Sequence, residues 1–317
     1  MIKQSLMFGR EFYSPFQTDM VKVKEGESMK KLFVFSDVHG QLHALQTSLK
    51  QAGYDRSNPD HLLVSLGDLF DRGRESLGVY NFVKERRGVY LKGNHETFLI
   101  EALEKGMDGE FVLFNFLHNG LDKTIESFGR SELGPTTTPT ILDTIIRNIK
   151  TVNRDLLPWL QAMPIMYETK NYVFVHAGLH PYADIHDPVN DEHFVLWDIK
   201  YSHYPIESTK KVVVIGHHHA FRVRQRGLEE GFIENPLGLV HTGNQDEHRP
   251  VRFGNKIAID PCSNFTDKVN VIVIEDELLE ETPKTETISA EEASDVFSSN
   301  VWHTYTYGPN TTTIRFR

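Results

Sequence analysis

The chain has 317 residues, 39% hydrophobic, 11% aromatic and 25% charged, with a formal charge of −10. This composition excludes collagen-like, low-complexity and wholly disordered chains, and the acidic balance disfavours charge-driven nucleic-acid binding. No apolar run approaches the roughly 20 residues of a membrane-spanning helix, the N-terminal segment lacks a secretory pattern, and the single Cys262 forbids an internal disulfide and fits a reducing cytoplasm.

In chain order, residues 1–28 read as an N-terminal extension, either a short hairpin or a stretch upstream of a start at Met29. Residues 29–275 read as one α/β domain. LFVFSD (32–37) is a buried strand, and Leu42, Leu45 and Leu49 stripe the helix after it. LLVSLGD (62–68) is a second strand, Leu77, Tyr80 and Val83 stripe a second helix, and VYLKGN (89–94) is a third strand. Strand–helix–strand units at this spacing imply parallel pairing through right-handed crossovers. Residues 97–163 are helical, closed by Pro158 and Pro164. Strands return at 172–176, 211–216, 256–260 and 270–275, whereas 225–255 has few strand or helix signals and suits a loop at the rim of a site. Residues 276–317 read as an acidic linker and a C-terminal hairpin turning at Gly308-Pro309-Asn310.

Nearly every strand stops at metal-competent residues. The strand ends are Asp37-Val38-His39-Gly40, Gly67-Asp68-Leu69-Phe70-Asp71-Arg72-Gly73, Gly93-Asn94-His95-Glu96, His176-Ala177-Gly178 and Gly216-His217-His218-His219. In open parallel sheets function collects beyond the carboxyl ends of the strands, so these segments converge on one rim. Mixed imidazole, carboxylate and carboxamide ligands without thiolate suit Mn, Fe or Zn. A bridging carboxylate between two divalent ions would clamp both oxygens of an in-line displacement at phosphorus.

SDVHG, GDLFDRG, GNHE, HAG and GHH resemble the signature blocks of the metal-dependent phosphoprotein phosphatases of the calcineurin-like metallophosphoesterases, bacterial or phage type. The resemblance implies a four-layer α/β/β/α sandwich with two divalent ions at the strand ends, manganese foremost, with Fe, Zn or Mg as alternatives. It assigns Asp37 and His39 to the first metal, Asp68 to the bridge, and Asn94, His176 and His217 to the second. His95 would be the general acid, oriented by Asp71, and Arg72 would bind the substrate phosphate. The nucleophile it implies is a metal-bridging hydroxide attacking phosphorus directly.

The chain also departs from the pattern. His217-His218-His219 replaces the usual His-Thr-Pro and resembles the Gly-His-x-His ending of other metallophosphoesterases, which makes His219 a further ligand for the first metal. In extended backbone His217 and His219 would share a side and His218 would face away. The second phosphate-binding arginine expected after Trp197 is absent, because Asp198, Ile199 and Lys200 follow. Arg222, Arg224 and Arg226 alternate like charges on an exposed strand, forming either a cationic stripe near the site or a solvated surface. His241 and His248 read as non-ligands, and Cys262 as a small structural residue.

The expected activity is phosphomonoester hydrolysis, on a serine/threonine or tyrosine phosphoprotein or a small phosphorylated metabolite, in the cytoplasm and without membrane or nucleic-acid partners. The alternatives are a diadenosine tetraphosphatase or other nucleotide phosphohydrolase or phosphodiesterase, and a non-catalytic phosphate-binding module.

Overall fold

The computed structural model describes residues 29–134, 137–231 and 245–279. The N-terminal extension, the C-terminal hairpin with most of its acidic linker, and His241 lie outside the described residues.

The first half runs β1 (Lys30–Phe35), α1 (Leu42–Gln51), β2 (His61–Ser65), α2 (Ser76–Lys84) and β3 (Gly88–Tyr90). It continues through α3 (Asn94–Lys105), α4 (Val112–His118), α5 (Leu121–Gly129), α6 (Pro139–Val152) and α7 (Leu156–Gln161). The second half runs β4 (Met166–Glu168), β5 (Tyr172–Val175), α8 (Glu192–Trp197), β6 (Val212–Ile215) and α9 (Ala220–Glu229). It ends with β7 (Val251–Phe253), β8 (Lys256–Ala258), α10 (Ser263–Thr266) and β9 (Val271–Asp276).

Two sheets result, in the orders β3-β2-β1-β9 and β4-β5-β6-β8-β7. The expected parallel pairing holds: β1 pairs with β2 with Phe33 opposite Leu63, and β2 pairs with β3. Strands β5, β6 and β8 are parallel too, while β9, β4 and β7 join antiparallel at the margins. β4 and β7, three residues each at the antiparallel margins, are absent from the sequence reading.

Side-chain alternation builds the layers. Leu32, Val34, Leu62 and Val64 point from the first sheet toward Phe174 and Val214 of the second, making an apolar seam between the sheets. Phe33, Phe35 and Leu63 point the other way, onto the stripe of α1 (Leu45, Leu49), that of α2 (Val79, Tyr80, Val83) and the helices after them. Val173, Val175, Val213 and Ile215 point away from the seam toward α8 and α9. Strands covered on both faces must be apolar at every position, which is why they read as continuous runs. The architecture is the expected four-layer α/β/β/α sandwich.

The 225–255 reading changes at both ends. α9 continues to Glu229, and β7 and β8 form a hairpin, Val251 pairing with Ala258, around Gly254 at φ +51°. FRVRQR is therefore helical, since Ala220, Val223 and Gly227 recur at helical spacing on the buried face.

Phe174 is fully buried in the seam. Phe174→Ala should lower the unfolding free energy by about 3–5 kcal/mol, read as a shifted urea midpoint, because neither sheet can collapse into the void.

Candidate metal centre

Each strand that reaches the site ends in a sharp turn. Asp37, His39, Asp68, Asp71, Arg72 and His217 all lie at φ between +46° and +68°, and they are six of the nine described non-glycine residues with positive φ. Such backbone costs about 1–3 kcal/mol per residue and persists only where the surroundings over-determine it. Here the loops hold one another. His39 N–H donates to the Asp68 carbonyl (3.0 Å), Asp37 N–H to that of Gly67 (3.1 Å), and Gly216 N–H to that of His176 (2.7 Å). The loops after β2 and β3 approach so closely that a Cβ on Gly93 would sit 2.3 Å from Asp68 Oδ1.

These turns bring together two groups of ligand atoms, each group within 4.8 Å: His39, Asp68 and His95, and Asp68, His176 and His217. Asp68 belongs to both. Its Oδ1 is 3.4 Å from His176 Nε2, and its Oδ2 is 3.7 Å from His39 Nε2. Asn94, at the first position of α3, presents Oδ1 3.0 Å from both His176 Nε2 and His217 Nδ1. Asp37 is 1% exposed, and its Oδ2 accepts from Ser36 Oγ and from His217 N–H.

This donor set fits divalent ions. His39 Nδ1 donates to the Phe70 carbonyl and His176 Nδ1 to that of Leu66, each at 2.8 Å. That fixes both tautomers and leaves each Nε2 lone pair facing the cluster, as metal-ligating histidines require. Burial and crowding by Asp260 push the Asp37 carboxyl well above the usual range, and burial with the Asp37 charge does the same to Asp68. Burial holds His39 and His176 well below the usual imidazole range and lowers His217 to about 3, so all three are unprotonated near neutrality. Crowded carboxylates among neutral imidazoles leave negative charge that a cation neutralises.

Within the first group, His95 Nδ1 donates to Asp71 Oδ2 at 2.7 Å. Arg72 spans the imidazoles, NH1 donating to His39 Nε2 (2.9 Å) and NH2 to His95 Nε2 (3.1 Å). Asp71 is held by Thr124 of α5, whose hydroxyl donates to its Oδ1 at 2.6 Å. Burial raises Asp71 to about 7 and lowers His95, so both partners favour their neutral forms.

Three supporting residues had no role in the sequence reading. Glu96 accepts from the backbone N–H of Asp68 (2.8 Å), Leu69 (2.8 Å) and Gly93 (2.7 Å), tying the β2 loop to the start of α3. Its signal was the glutamate three residues past Gly93, a capping-box spacing. Asp260 is buried at the end of β8 near Asp37 and His219, and Thr124 comes from a distant helix with no local motif.

Other candidates land elsewhere. His217 at φ +58° is not extended, so the expected side-sharing with His219 fails. His219 is instead the N-cap of α9, with Nε2 3.9 Å from Asp260 Oδ2, and it stands outside both ligand groups. His218 is 7% exposed, and its charge environment is set by Arg226, His219, Arg222 and His203. Helical geometry also breaks the cationic stripe, one of the two readings of Arg222, Arg224 and Arg226. Trp197 is exposed at the rim, its ring 6.2 Å from that of His217. Lys200 lies over the Tyr201 ring at 4.7 Å, while Asp198 turns inward. His248 packs against Phe221. Cys262 is half-buried, and burial with Asp260 raises its thiol to about 11.

Residues 30–243 match the calcineurin-like phosphoesterase family. A symmetrical bis(5'-nucleosyl)-tetraphosphatase of Aromatoleum aromaticum is 27% identical over 152 residues, 47% of this chain and 45% of that protein. Serine/threonine-protein phosphatase 2 of Escherichia coli is 38% identical over 84 residues, 26% of this chain and 37% of that protein. The chain thus spans less than half the length of these curated relatives. A crystal structure of a putative diadenosine tetraphosphatase superposes with a TM-score of 0.45 at 17% identity, covering 78% of this chain and 94% of that one.

Glu96→Ala should strand three buried N–H donors and cost about 2–4 kcal/mol in urea unfolding. Burial raises the Asp71 carboxyl from the ordinary 3.8 to about 7, so the stability of its protonated form is fully present below about pH 4 and is lost as pH rises through about 7. In thermal unfolding of ion-free protein, wild type should lose stability relative to Asp71→Asn from about pH 4 to about pH 7 and no further above that.

Proposed function

Since the chain belongs to the calcineurin-like phosphoesterase family, we propose that it is a cytoplasmic, two-metal phosphomonoesterase, manganese foremost, acting on serine/threonine or tyrosine phosphoproteins. The observation that carries this reading is the His95–Asp71 pair, whose His95 belongs to one of two ligand groups that share Asp68.

Asp37, His39 and Asp68 would hold the first ion, and Asp68, Asn94, His176 and His217 the second. Two divalent ions there supply Lewis-acid stabilisation of the phosphoryl oxygens and a nucleophile at neutral pH. Arg72 reaches the site from a turn anchored by its own N–H on the Gly120 carbonyl (3.1 Å), and its planar fork suits two phosphoryl oxygens. In this reading it exchanges the His39 and His95 nitrogens for the substrate. Asp71 accepts from His95 Nδ1 and holds the ring so that Nε2 faces the leaving oxygen. His95 then takes up, in this reading, a second proton at Nε2 once substrate replaces Arg72 there and delivers it to that oxygen.

A second reading, hydrolysis of a dinucleoside polyphosphate, is favoured by the relative covering 47% of this chain, against 26% for the protein phosphatase. Both readings use the same residues. A non-catalytic phosphate-binding module would have no use for an oriented His95–Asp71 pair.

The test is Mn²⁺ add-back to metal-stripped protein with a phosphoserine peptide, a phosphotyrosine peptide and diadenosine tetraphosphate. Mn²⁺-dependent phosphate release from a peptide supports the first reading, and preference for the dinucleotide replaces it with the second. His95→Asn should lower kcat by about 100- to 10,000-fold with bound metal unchanged. Asp68→Asn should lose metal and activity together, and full activity without metal would refute both readings.

A further inference from the structure

Four aromatic rings run in an arc along one side of the metal centre. The His95 ring lies 5.0 Å from that of Phe98, Phe98 lies 5.7 Å from Trp197, and Trp197 lies 6.2 Å from His217. The rings at the two ends belong to the site, since His95 is in one ligand group and His217 in the other. Phe98 is 8% exposed and backs the arc, whereas Trp197 is 39% exposed and stands open at the rim. His193, one turn earlier on α8 and exposed, continues the surface, its ring 6.5 Å from the indole and inclined to it by only 25°.

The helix that carries Trp197 is fixed from several directions. Ala177 N–H, next to His176, donates to the Val195 carbonyl of α8 (2.7 Å). Lys92, just before the Gly93–Glu96 segment, pairs with Glu192 at 2.9 Å. Asp191 caps the helix by accepting from Phe194 N–H (2.8 Å), and the buried Asp198 accepts from the N–H groups of Lys200 (3.0 Å) and Tyr201 (3.3 Å) just beyond it. α8 is therefore tied to the loops that bring His176 and Asn94 to the site. An indole held in this way offers a flat apolar surface at little ordering cost.

We infer that Trp197, backed by Phe98 and continued by His193, is a stacking surface for the leaving group, so that the site favours aryl phosphate monoesters such as phosphotyrosine over alkyl ones such as phosphoserine. The inference rests on the phosphomonoesterase reading above and narrows its substrate. In that reading His95 faces the leaving oxygen, and the arc begins at His95, so a ring bonded to that oxygen lies on the side where Trp197 stands. A phenol ring has a face to set against the indole, in the offset or edge-to-face arrangement that aromatic pairs prefer. The serine methylene has none, and in a dinucleoside polyphosphate sugar and phosphates separate the base from the scissile bond.

The experiment compares the metal-loaded full chain with Trp197→Ala and Trp197→Phe on a phosphotyrosine peptide, the same peptide carrying phosphoserine, and diadenosine tetraphosphate. Metal content is measured for each protein. The quantity compared is the tyrosine-to-serine ratio of kcat/KM in variant and wild type, in which the intrinsic ease of aryl ester cleavage cancels. Trp197→Ala should lower that ratio about tenfold, chiefly through KM and with bound metal unchanged, and Trp197→Phe should keep most of it. An unchanged ratio in Trp197→Ala would overturn the inference, because a merely structural role weakens both peptides alike. Losses confined to diadenosine tetraphosphate would also overturn it, in favour of a nucleobase on the indole. Calorimetry with phenylphosphonate and methylphosphonate, which are not hydrolysed, reads the surface without turnover: Trp197→Ala should weaken the first about tenfold more than the second. If wild type hydrolyses neither peptide yet this difference in binding appears, the stacking surface stands and the phosphomonoesterase reading fails.

Discussion

Asp68 imposes the central constraint. Its carboxylate is buried, belongs to both ligand groups and accepts from the backbone N–H of His95 at 3.0 Å. A charge so far from water is costly unless it is paired, and the nearest imidazoles are themselves held neutral. The loops around it therefore have a common function, which is to bring enough donors to one point for divalent ions to neutralise it. The left-handed turns at Asp37, His39, Asp68 and His217 follow from that demand. A side chain at the end of a strand points at the sheet face, and the chain must reverse sharply to aim it along the rim instead.

The rest of the sandwich keeps those turns from relaxing. The apolar seam of Leu32, Val34, Val64, Phe174 and Val214 locks the two sheets face to face. Candidate ligand residues from the first sheet (Asp37, Asp68, Asn94) therefore meet those from the second (His176, His217) across a fixed gap. Glu96 acts as an internal clip, since one carboxylate satisfies donors on both the β2 and β3 loops. The positions of His95 and Arg72 rest on the same scaffold. Thr124 and Gly120, both from the helical layer, fix Asp71 and Arg72, so this layer sets where the Asp71 carboxyl and the Arg72 turn lie.

Much of this was legible from the chain alone. Continuous apolar runs mark strands covered on both faces, and the stripes Leu42/Leu45/Leu49 and Leu77/Tyr80/Val83 mark their crossover helices. The polar clusters at the strand ends could be placed on one rim because parallel pairing puts all carboxyl ends on the same side. Local motifs are readable where the residues that act together are also neighbours in sequence, as in Gly67–Gly73 and Gly93–Glu96.

What the sequence by itself determined is the layer order, the parallel core of each sheet and the residue types gathered at the rim, because period, spacing and chemistry are properties of contiguous segments. Tertiary structure decided the rest. His219 becomes a helix cap beside Asp260, because the backbone at His217 turns left-handed. The arginines that alternate along the chain separate on a helix, leaving two braced by carbonyls and the Arg222 side chain exposed. Thr124 and Asp260 reach the site from elements 53 residues beyond Asp71 and at the far end of β8, respectively. Such partnerships depend on which faces pack together, and that is a property of the folded layers that no local spacing encodes.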